Sequence, residues 1–338
     1  MALIAFFELD EFGLGNRKDY IRKRLKGHTV SFVSQRLEHK TAKLAKTADV
    51  AAFFIYSHVD ANLLKQLPKL KLVTTMSTGY DHIDMAACKK RKVLACNVPS
   101  YGENTVAEHA MALLLAISRN IIPSIDRTRK GKFSFEGLRG FDLKGKTIGI
   151  IGTGRIGRHM AHYANAFGMN VIAYDLFPNK ELAKECGFVY VALSKLLKRS
   201  DVLSLHLPET PQTHHIINCK NIRKIKNGCV LINTARGKLV ETEALLLGLK
   251  NGTFKACGLD VLEEETAIQE EASLLHKDFA KKYNVRLLLE EHALQGMDNV
   301  LITPHNAFNS DEALQRILDT TLDNILAFLK KKAQNVVK

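Results

Sequence analysis

The chain lacks any apolar run long enough to cross a membrane. Its nearest candidate, Ala110–Ile117, falls far short of the roughly 20 residues that a spanning helix needs. The first residues, MALIAFFELDEFG, carry acids early and have no basic stretch, so no secretory signal is expected. The six cysteines, at 88, 96, 186, 219, 229 and 257, form no CxxC pair and no metal-ligand spacing. That argues against a disulfide framework or a structural metal, and no metal is expected. Reduced core thiols and a cytoplasmic location are expected instead. No internal repeat and no low-complexity segment is evident. Acids are outnumbered, 35 against 49 Lys and Arg, for a net charge of +14. The cations are scattered, with small clusters at Arg22–Arg24, Lys89–Lys92 and Lys330–Lys332, and none carries a nucleic-acid motif. Solvated surface is the ordinary reading and attraction of anionic ligands the second. Neither a nucleic acid nor a membrane is expected as a partner.

What is present is ordinary in bulk and specific in one place. At 338 residues, 46% hydrophobic, the chain can build two cores. The specific place is TIGIIGTGRIGRHMAHYANAFGMNVIAYD, residues 147–175. Thr147–Ile151 reads as a buried strand. Gly152, Gly154 and Gly157 follow, then apolar residues at helical spacing (Ile156, Met160, Tyr163, Ala164, Phe167), a second strand at Asn170–Tyr174, and Asp175. Strand, glycine turn, helix, strand and acid form the dinucleotide-binding fingerprint. Gly152 makes the tight turn, Gly154 lets backbone approach a pyrophosphate, and Gly157 lets the helix pack closely. The helix N-terminus offers free N–H groups and a positive dipole end to phosphates. Asp175 can accept from the adenine-side ribose; its rival reading is a strand-end turn residue. It is followed by Leu176, with no cation to meet a 2′-phosphate, which favours NAD over NADP.

About 145 residues precede this strand, enough for a domain of their own. Strands are expected at Ala2–Phe6, Thr29–Val33, Val50–Tyr56, Lys71–Met76 and Val93–Cys96. Helices are expected at Lys18–Lys26, Thr41–Lys46, Ala61–Gln66 and Ile83–Lys90. That alternation implies a second parallel α/β unit. Asn104–Ser118 reads as a long helix connecting the units. Ala313–Lys332 reads as an amphipathic helix, with Leu314, Ile317, Leu318, Leu322, Ile325 and Leu329 on one face, returning to the first unit.

Beyond Asp175, strands are expected at Asp201–Leu207, Cys229–Asn233, Ala256–Asp260 and Asn299–Thr303. In open parallel sheets, ligands bind beyond the carboxyl ends of strands. Arg236, Asp260, Glu265 and His305 therefore share one crevice with the cofactor. Arginine holds a carboxylate bidentately, histidine moves a proton near neutral pH, and a carboxylate beside it fixes its tautomer and raises its pKa. His206 is expected to line the crevice. His82, His109, His214 and His215 read as surface or helix residues.

These pieces resemble the D-isomer-specific 2-hydroxyacid dehydrogenases, most of all their D-lactate dehydrogenase branch. The resemblance covers nearly the whole chain, through STGYDHID (77–84), NVPSYGENTVAEHA (97–110), GFDLKGKTIGIIGTGRIG (140–157), HLPETPQTHHIIN (206–218), NTARGKLV (233–240), GLDVLEEE (258–265) and TPHNAF (303–308). It implies two Rossmann-like domains, the N-terminal one discontinuous and completed by the C-terminal segment. The substrate domain is expected at 1–100 and 304–338, and the NAD-binding domain at 101–303. The resemblance also implies a catalytic cleft between the domains and a homodimer built on the NAD-binding ones. By motif position, Arg236 is the substrate anchor, His305 the general acid/base and Glu265 its partner, with Glu263 and Glu264 as neighbouring alternatives. Ser77, Thr78 and Gly79 would cradle the substrate carboxylate, Tyr101 would enter the substrate pocket, and Phe308 would form an apolar wall. Cofactor contacts are expected from Gly152, Gly154, Arg155, Ile156, Gly157, Asp175, His206, Leu207, Pro208, Thr213, Thr234, Ala235, Arg236, Asp260 and His305.

The implied reaction is NAD-dependent reduction of a small 2-oxo acid, pyruvate first, to the D-2-hydroxy acid, and its reverse. Alternatives are a nonenzymatic, NAD-sensing scaffold of the corepressor type and a dehydrogenase of larger 2-hydroxy acids or of phosphohydroxypyruvate. Formate oxidation would need no His–Glu pair. The chain departs from many relatives at Thr266, where they have proline, and at Asn306. The segment 266–296 is long and polar, with a helix expected at Leu275–Tyr283.

Overall fold

The computed structural model describes residues 1–265 and 284–337. Thr266 and the helix expected at Leu275–Tyr283 lie outside the described residues. The chain forms two compact units, one of Met1–Gly102 with Asn309–Lys338 and one of Glu103–Phe308.

The first unit is a five-stranded sheet of β1 (Leu3–Phe7), β2 (Thr29–Val33), β3 (Val50–Phe53), β4 (Leu72–Thr75) and β5 (Leu94–Cys96). The order is β2-β1-β3-β4-β5, with every pairing parallel. β3 and β4 are buried at every position, as expected of parallel strands covered on both faces. Short helices at Lys18–Arg24, Ala61–Gln66 and Met85–Arg91 connect them. Two start at aspartate caps: Asp60 accepts from the Leu63 N–H (2.7 Å) and Asp84 from the Ala87 N–H (2.8 Å). The helix Asp311–Leu329 completes this unit, burying Ala313, Ile317, Leu318, Leu322 and Ile325. Its buried Asn324 donates to the Asn97 carbonyl (2.8 Å), and the Val337 N–H donates to Ala95 (2.9 Å).

Three expectations need correction here. The helix at Thr41–Lys46 is a single tight turn, Ala42–Ala45, closed by three-residue steps from the Leu44 N–H to the Thr41 carbonyl (2.9 Å) and from the Ala48 N–H to the Ala45 carbonyl (2.9 Å). The strand expected to run to Tyr56 stops at Phe53, since the Phe54 N–H leaves the ladder for Glu8 Oε2 (2.7 Å). His82 is no surface residue. It is buried, pairs with Thr75 Oγ1 (3.0 Å) and stands edge-on to Phe53. Burial drives its pKa down to about 4, with the His58 charge adding to the fall and Asp81 opposing it.

The second unit is a seven-stranded sheet of β6 (Thr147–Ile151), β7 (Asn170–Tyr174), β8 (Val189–Tyr190), β9 (Val202–Leu205), β10 (Cys229–Asn233), β11 (Phe254–Leu259) and β12 (Val300–Ile302). Its order is β12-β11-β10-β9-β6-β7-β8, again all parallel. The helix Glu103–Ser118 lies on one face, where Ala107, Ala110, Leu114 and Ile117 meet Ile148, Ile150, Val230 and Ile232. Among the described residues no single helix is long and apolar enough to cross a membrane. Contacts close this unit after Phe308, five residues beyond the boundary expected from sequence. The reason is local: the N–H groups of Asn306 and Ala307 bind the Asp260 carboxylate, which ties 304–308 to β11.

Candidate active site

Register builds the site. Ile151 pairs with Tyr174 and Leu205, Leu205 with Asn233, Asn233 with Leu259, and Leu259 with Ile302. The six strands thus end level, and the residues just past those ends form one row: Asp175, Gly152, His206, Thr234, Asp260 and Thr303. From β6 to β12 the row spans four inter-strand steps, about 19 Å. Its switch point is β6, flanked by β7 on one side and β9 on the other.

At β6 each glycine has a physical task. Gly152 has φ +97°, and a Cβ there would sit 2.6 Å from the His206 carbonyl oxygen. A Cβ on Gly157 would overlap the Gly152 carbonyl oxygen, so the third glycine lets the helix Arg155–Ala166 close onto the turn itself. A Cβ on Gly154 would meet nothing within 4 Å. That is open space beside a helix N-terminus. Asp175 organises the same turn. Its Oδ2 accepts from the Thr153 N–H (2.7 Å) and hydroxyl (3.0 Å), and its Oδ1 accepts from the Phe177 N–H (2.9 Å). Two carboxylate oxygens have about four acceptor positions, so capacity remains for a ribose hydroxyl. Thr153 and Tyr190, bonded to each other at 2.7 Å, support this acid and escaped the sequence reading.

Further along the row lie buried polar atoms without a protein partner: His206 Nδ1, Thr234 Oγ1 and Asn306 Oδ1. Buried polar groups are normally paired. Three orphans following β9, β10 and β12 fit a polar ligand laid along the strand ends. His206 pairs with Ser204 through Nε2 (2.9 Å), and burial drops its pKa to about 4, so the ring is neutral. Thr213 bonds the Pro208 carbonyl (2.7 Å) and shapes the loop after Leu207.

At the far end stand the ionisable groups. His305 follows β12 with a left-handed backbone, φ +50°, a conformation that non-glycine residues adopt at a cost and that clusters at functional sites. Its Nδ1 donates to Glu265 Oε1 at 2.8 Å. Burial works against the imidazolium, but the hydrogen bond and charge of Glu265, helped by Asp260, outweigh both burial and the nearby Arg236 cation. The His305 pKa is raised. Asp260 is buried and acts as a staple, accepting from the Thr303 hydroxyl (2.5 Å), the Asn306 N–H (3.0 Å) and the Ala307 N–H (2.9 Å). Arg236 follows β10 in a loop held by Asn233, whose amide donates to the Arg236 carbonyl (2.9 Å). The next residue must be glycine, because a Cβ on Gly237 would overlap the Leu262 carbonyl. This contact brings the Arg236 loop against the loop carrying Glu265.

The three consecutive glutamates now separate. Glu263 accepts from His215 (2.6 Å) and from the Thr242 N–H (2.8 Å) and hydroxyl (2.6 Å), so it is a structural tie. The Glu264 N–H donates to the buried Glu291 (3.1 Å). Of the three, Glu265 is the one bonded to His305.

A sequence profile described as D-isomer specific 2-hydroxyacid dehydrogenase, NAD binding domain, matches residues 111–307. A 2-hydroxyacid dehydrogenase homolog of Zymomonas mobilis is 39% identical over 302 residues, covering 88% of this chain and 89% of that one. The D-lactate dehydrogenase of Escherichia coli is 34% identical, with 91% and 93% covered. The solved D-lactate dehydrogenase of Aquifex aeolicus, in complex with NAD and lactic acid, superposes with a TM-score of 0.83 at 37% identity, over 97% of this chain and 96% of that one. The chain belongs to the D-isomer-specific 2-hydroxyacid dehydrogenases. It is an NAD-dependent oxidoreductase of two parallel α/β units.

Ile156 lies in the first turn of the helix after Gly154, and the Ala235 carbonyl accepts from Arg236 Nη1 (2.8 Å). In this dehydrogenase the residues expected in the substrate pocket belong to the first unit, Phe308 excepted. Ser77 turns its hydroxyl to Thr75 (2.6 Å) and to the Gly79 carbonyl (2.7 Å), and the Thr78 hydroxyl donates to Val98 (2.8 Å). The two hydroxyls of this loop are thus engaged within the first unit, with Thr75, Gly79 and Val98. Tyr101 accepts at its carbonyl from Arg316 Nε (2.5 Å). Phe308 closes the second unit and is partly buried.

Proposed function

We propose that the dehydrogenase reduces a small 2-oxo acid, pyruvate first, to the D-2-hydroxy acid and catalyses the reverse, with His305 as general acid/base, Glu265 as its partner and Arg236 as substrate anchor. The observation that carries this reading is the 2.8 Å His305–Glu265 bond beside Arg236 at the carboxyl ends of the strands. A bound NADH supplies the hydride. The chain does the rest. The helix N-terminus at Gly154 and the Asp175 carboxylate hold the dinucleotide. Arg236 pairs with the substrate carboxylate and stabilises charge growing on the carbonyl oxygen. The raised pKa keeps His305 charged to higher pH than a free histidine, so it can donate a proton to that oxygen; in the reverse direction the neutral ring removes it. Ser77, Thr78 and Gly79 are proposed as the carboxylate cradle, with Tyr101 and Phe308 as walls of the substrate pocket.

The same reading includes a homodimer formed through the NAD-binding unit. Phe133 and Phe135 there are 98% and 91% exposed and Ile121, Ile122 and Ile125, a few residues earlier in the chain, are exposed too, and exposed apolar side chains of this kind suit a partner. A cytoplasmic location fits the six unpaired thiols, four of them buried. The test is a steady-state panel of 2-oxo acids with NADH and NADPH. Pyruvate with NADH should give the highest kcat/KM. Dinucleotide binding without turnover on any acid would mark a scaffold instead, and preference for a bulkier acid would move the substrate assignment.

A further inference from the structure

The helix Val285–Gln295 buries Leu288, Glu291 and Leu294 on one face. A glutamate in the middle of that stripe is out of place: Glu291 is 0% exposed, between two leucines. Its Oε1 accepts the Glu264 N–H at 3.1 Å, while its Oε2 is buried without a partner. Burial pushes its pKa up to about 7, against hydrogen bonds from the 264 and 263 backbone and with the charges of Glu263 and Glu264 adding to the rise. A leucine or methionine would fill the place without these penalties. What the carboxyl group supplies is an acceptor for the backbone just before Glu265, foremost the Glu264 N–H.

We propose that Glu291 is a positioning residue, which holds the 263–265 backbone so that the Glu265 carboxylate stays on His305. The inference rests on the acid/base reading of that pair. Among the described residues, three contacts from other segments fix the loop. Gly237 is in tight contact with the Leu262 carbonyl. Glu263 is tied by its side chain to His215 and Thr242. Glu264 is tied by its backbone to Glu291. Among the described residues, the Glu264 tie is the one that fixes the backbone between the Glu263 tie and Glu265, while the Leu262 N–H donates to Glu265 Oε2 itself at 3.4 Å. The charges that set the His305 pKa are those of Glu265, Asp260 and Arg236. Glu291 is not among them, so it reaches His305 through the loop and not through its own field.

The test uses the full-length enzyme with NADH and pyruvate, comparing Glu291→Gln and Glu291→Met with wild type. The glutamine amide oxygen still accepts the Glu264 N–H, whereas methionine has the same length and no such acceptor. Glu291→Gln should stay within about twofold of wild type in kcat/KM. Glu291→Met should lose about tenfold, inside the range that a small misplacement costs, with NADH affinity unchanged and the basic limb of the reduction profile moved to lower pH. A folded Glu291→Met enzyme with a wild-type profile would overturn the proposal, and so would equal losses in both variants. A readout without mutation is amide exchange of Glu264 in the NADH-bound enzyme: slow exchange is expected, and exchange at the rate of an exposed loop contradicts the tie. His305→Gln, run in parallel, separates the two levels. If it keeps activity, the acid/base reading itself fails; if it is dead while Glu291→Met behaves as wild type, only the role of Glu291 fails.

Discussion

The two units repeat one topological device and fill it differently. In each sheet the chain reverses its order beside one strand, at β1 in the first unit and at β6 in the second, and such a reversal opens a crevice at the strand ends. After β6 comes Gly152, at φ +97°, and then open space at Gly154. After β1 comes Glu8, also left-handed at φ 64°, and fully buried. Its Oε2 takes the Phe54 N–H (2.7 Å) and the Ser57 hydroxyl (2.8 Å), so the crevice between β1 and β3 is closed by a side chain. The turn after β6 leaves open space at a helix N-terminus, whereas the turn after β1 fills its crevice with an acid that takes the Phe54 N–H and the Ser57 hydroxyl. Topology supplies two candidate crevices, and side-chain chemistry decides which can hold a dinucleotide.

The largest expected effect lies at the His305 end of the open row. His305→Gln should lower kcat by about 10²–10⁴-fold while NADH affinity stays near wild type, since general acid catalysis is worth that much. Retention of more than about a third of kcat would remove His305 from the mechanism. Next comes the turn that makes the row open. Gly157→Val must push the helix off Gly152, so NADH titration should show affinity falling on the order of 10²-fold, about 2.7 kcal/mol. Unchanged binding would deny the open turn its role.

The closed crevice makes its own prediction through stability. Burial raises the Glu8 pKa to about 7, with Glu11 adding and Ser57, the Phe54 N–H and Arg36 opposing. The native state therefore holds this proton to higher pH than the unfolded chain. Its contribution is fully present below about pH 4.5 and is lost as pH rises through about 7, a swing of up to about 3 kcal/mol. Thermal unfolding at pH 5 and pH 8 should show Glu8→Gln with a smaller pH dependence than wild type. An equal dependence would mean that Glu8 keeps its charge in the folded state. The smallest effect is cofactor choice: Asp175→Ala with Leu176→Arg should weaken NADH about tenfold and admit NADPH. Efficient use of NADPH by the wild type would contradict the role given to Asp175.

Much of this was legible in the sequence because each feature sits on a periodic background. The strands at Thr147–Ile151, Asn170–Tyr174 and Cys229–Asn233 have the expected bounds, since β-rich apolar runs flanked by turn residues have few other readings. Arg236, Glu265 and His305 were visible as polar residues just past such runs. What stayed hidden depends on contacts distant in sequence. His82 lies among polar neighbours, and only tertiary packing buries it. The duties of Glu263, Glu264 and Glu265 could not be divided without His215, Thr242 and Glu291, which come from three other segments. Glu291 left one trace: its spacing of three from both Leu288 and Leu294 places it on the helix face that they bury.

The central claim is that an ionised Glu265 keeps His305 protonated for reduction, and the pH profile of Glu265→Gln tests it most directly. The bond and charge of Glu265 outweigh burial and Arg236 in raising the histidine pKa. Removing the charge should let the proton leave at lower pH. Measured as kcat/KM for pyruvate reduction across about pH 5–9, the basic limb of the variant should move to lower pH, and oxidation of the hydroxy acid should gain relative activity at mildly acid pH. A basic limb unchanged from wild type would contradict the pairing of Glu265 with His305.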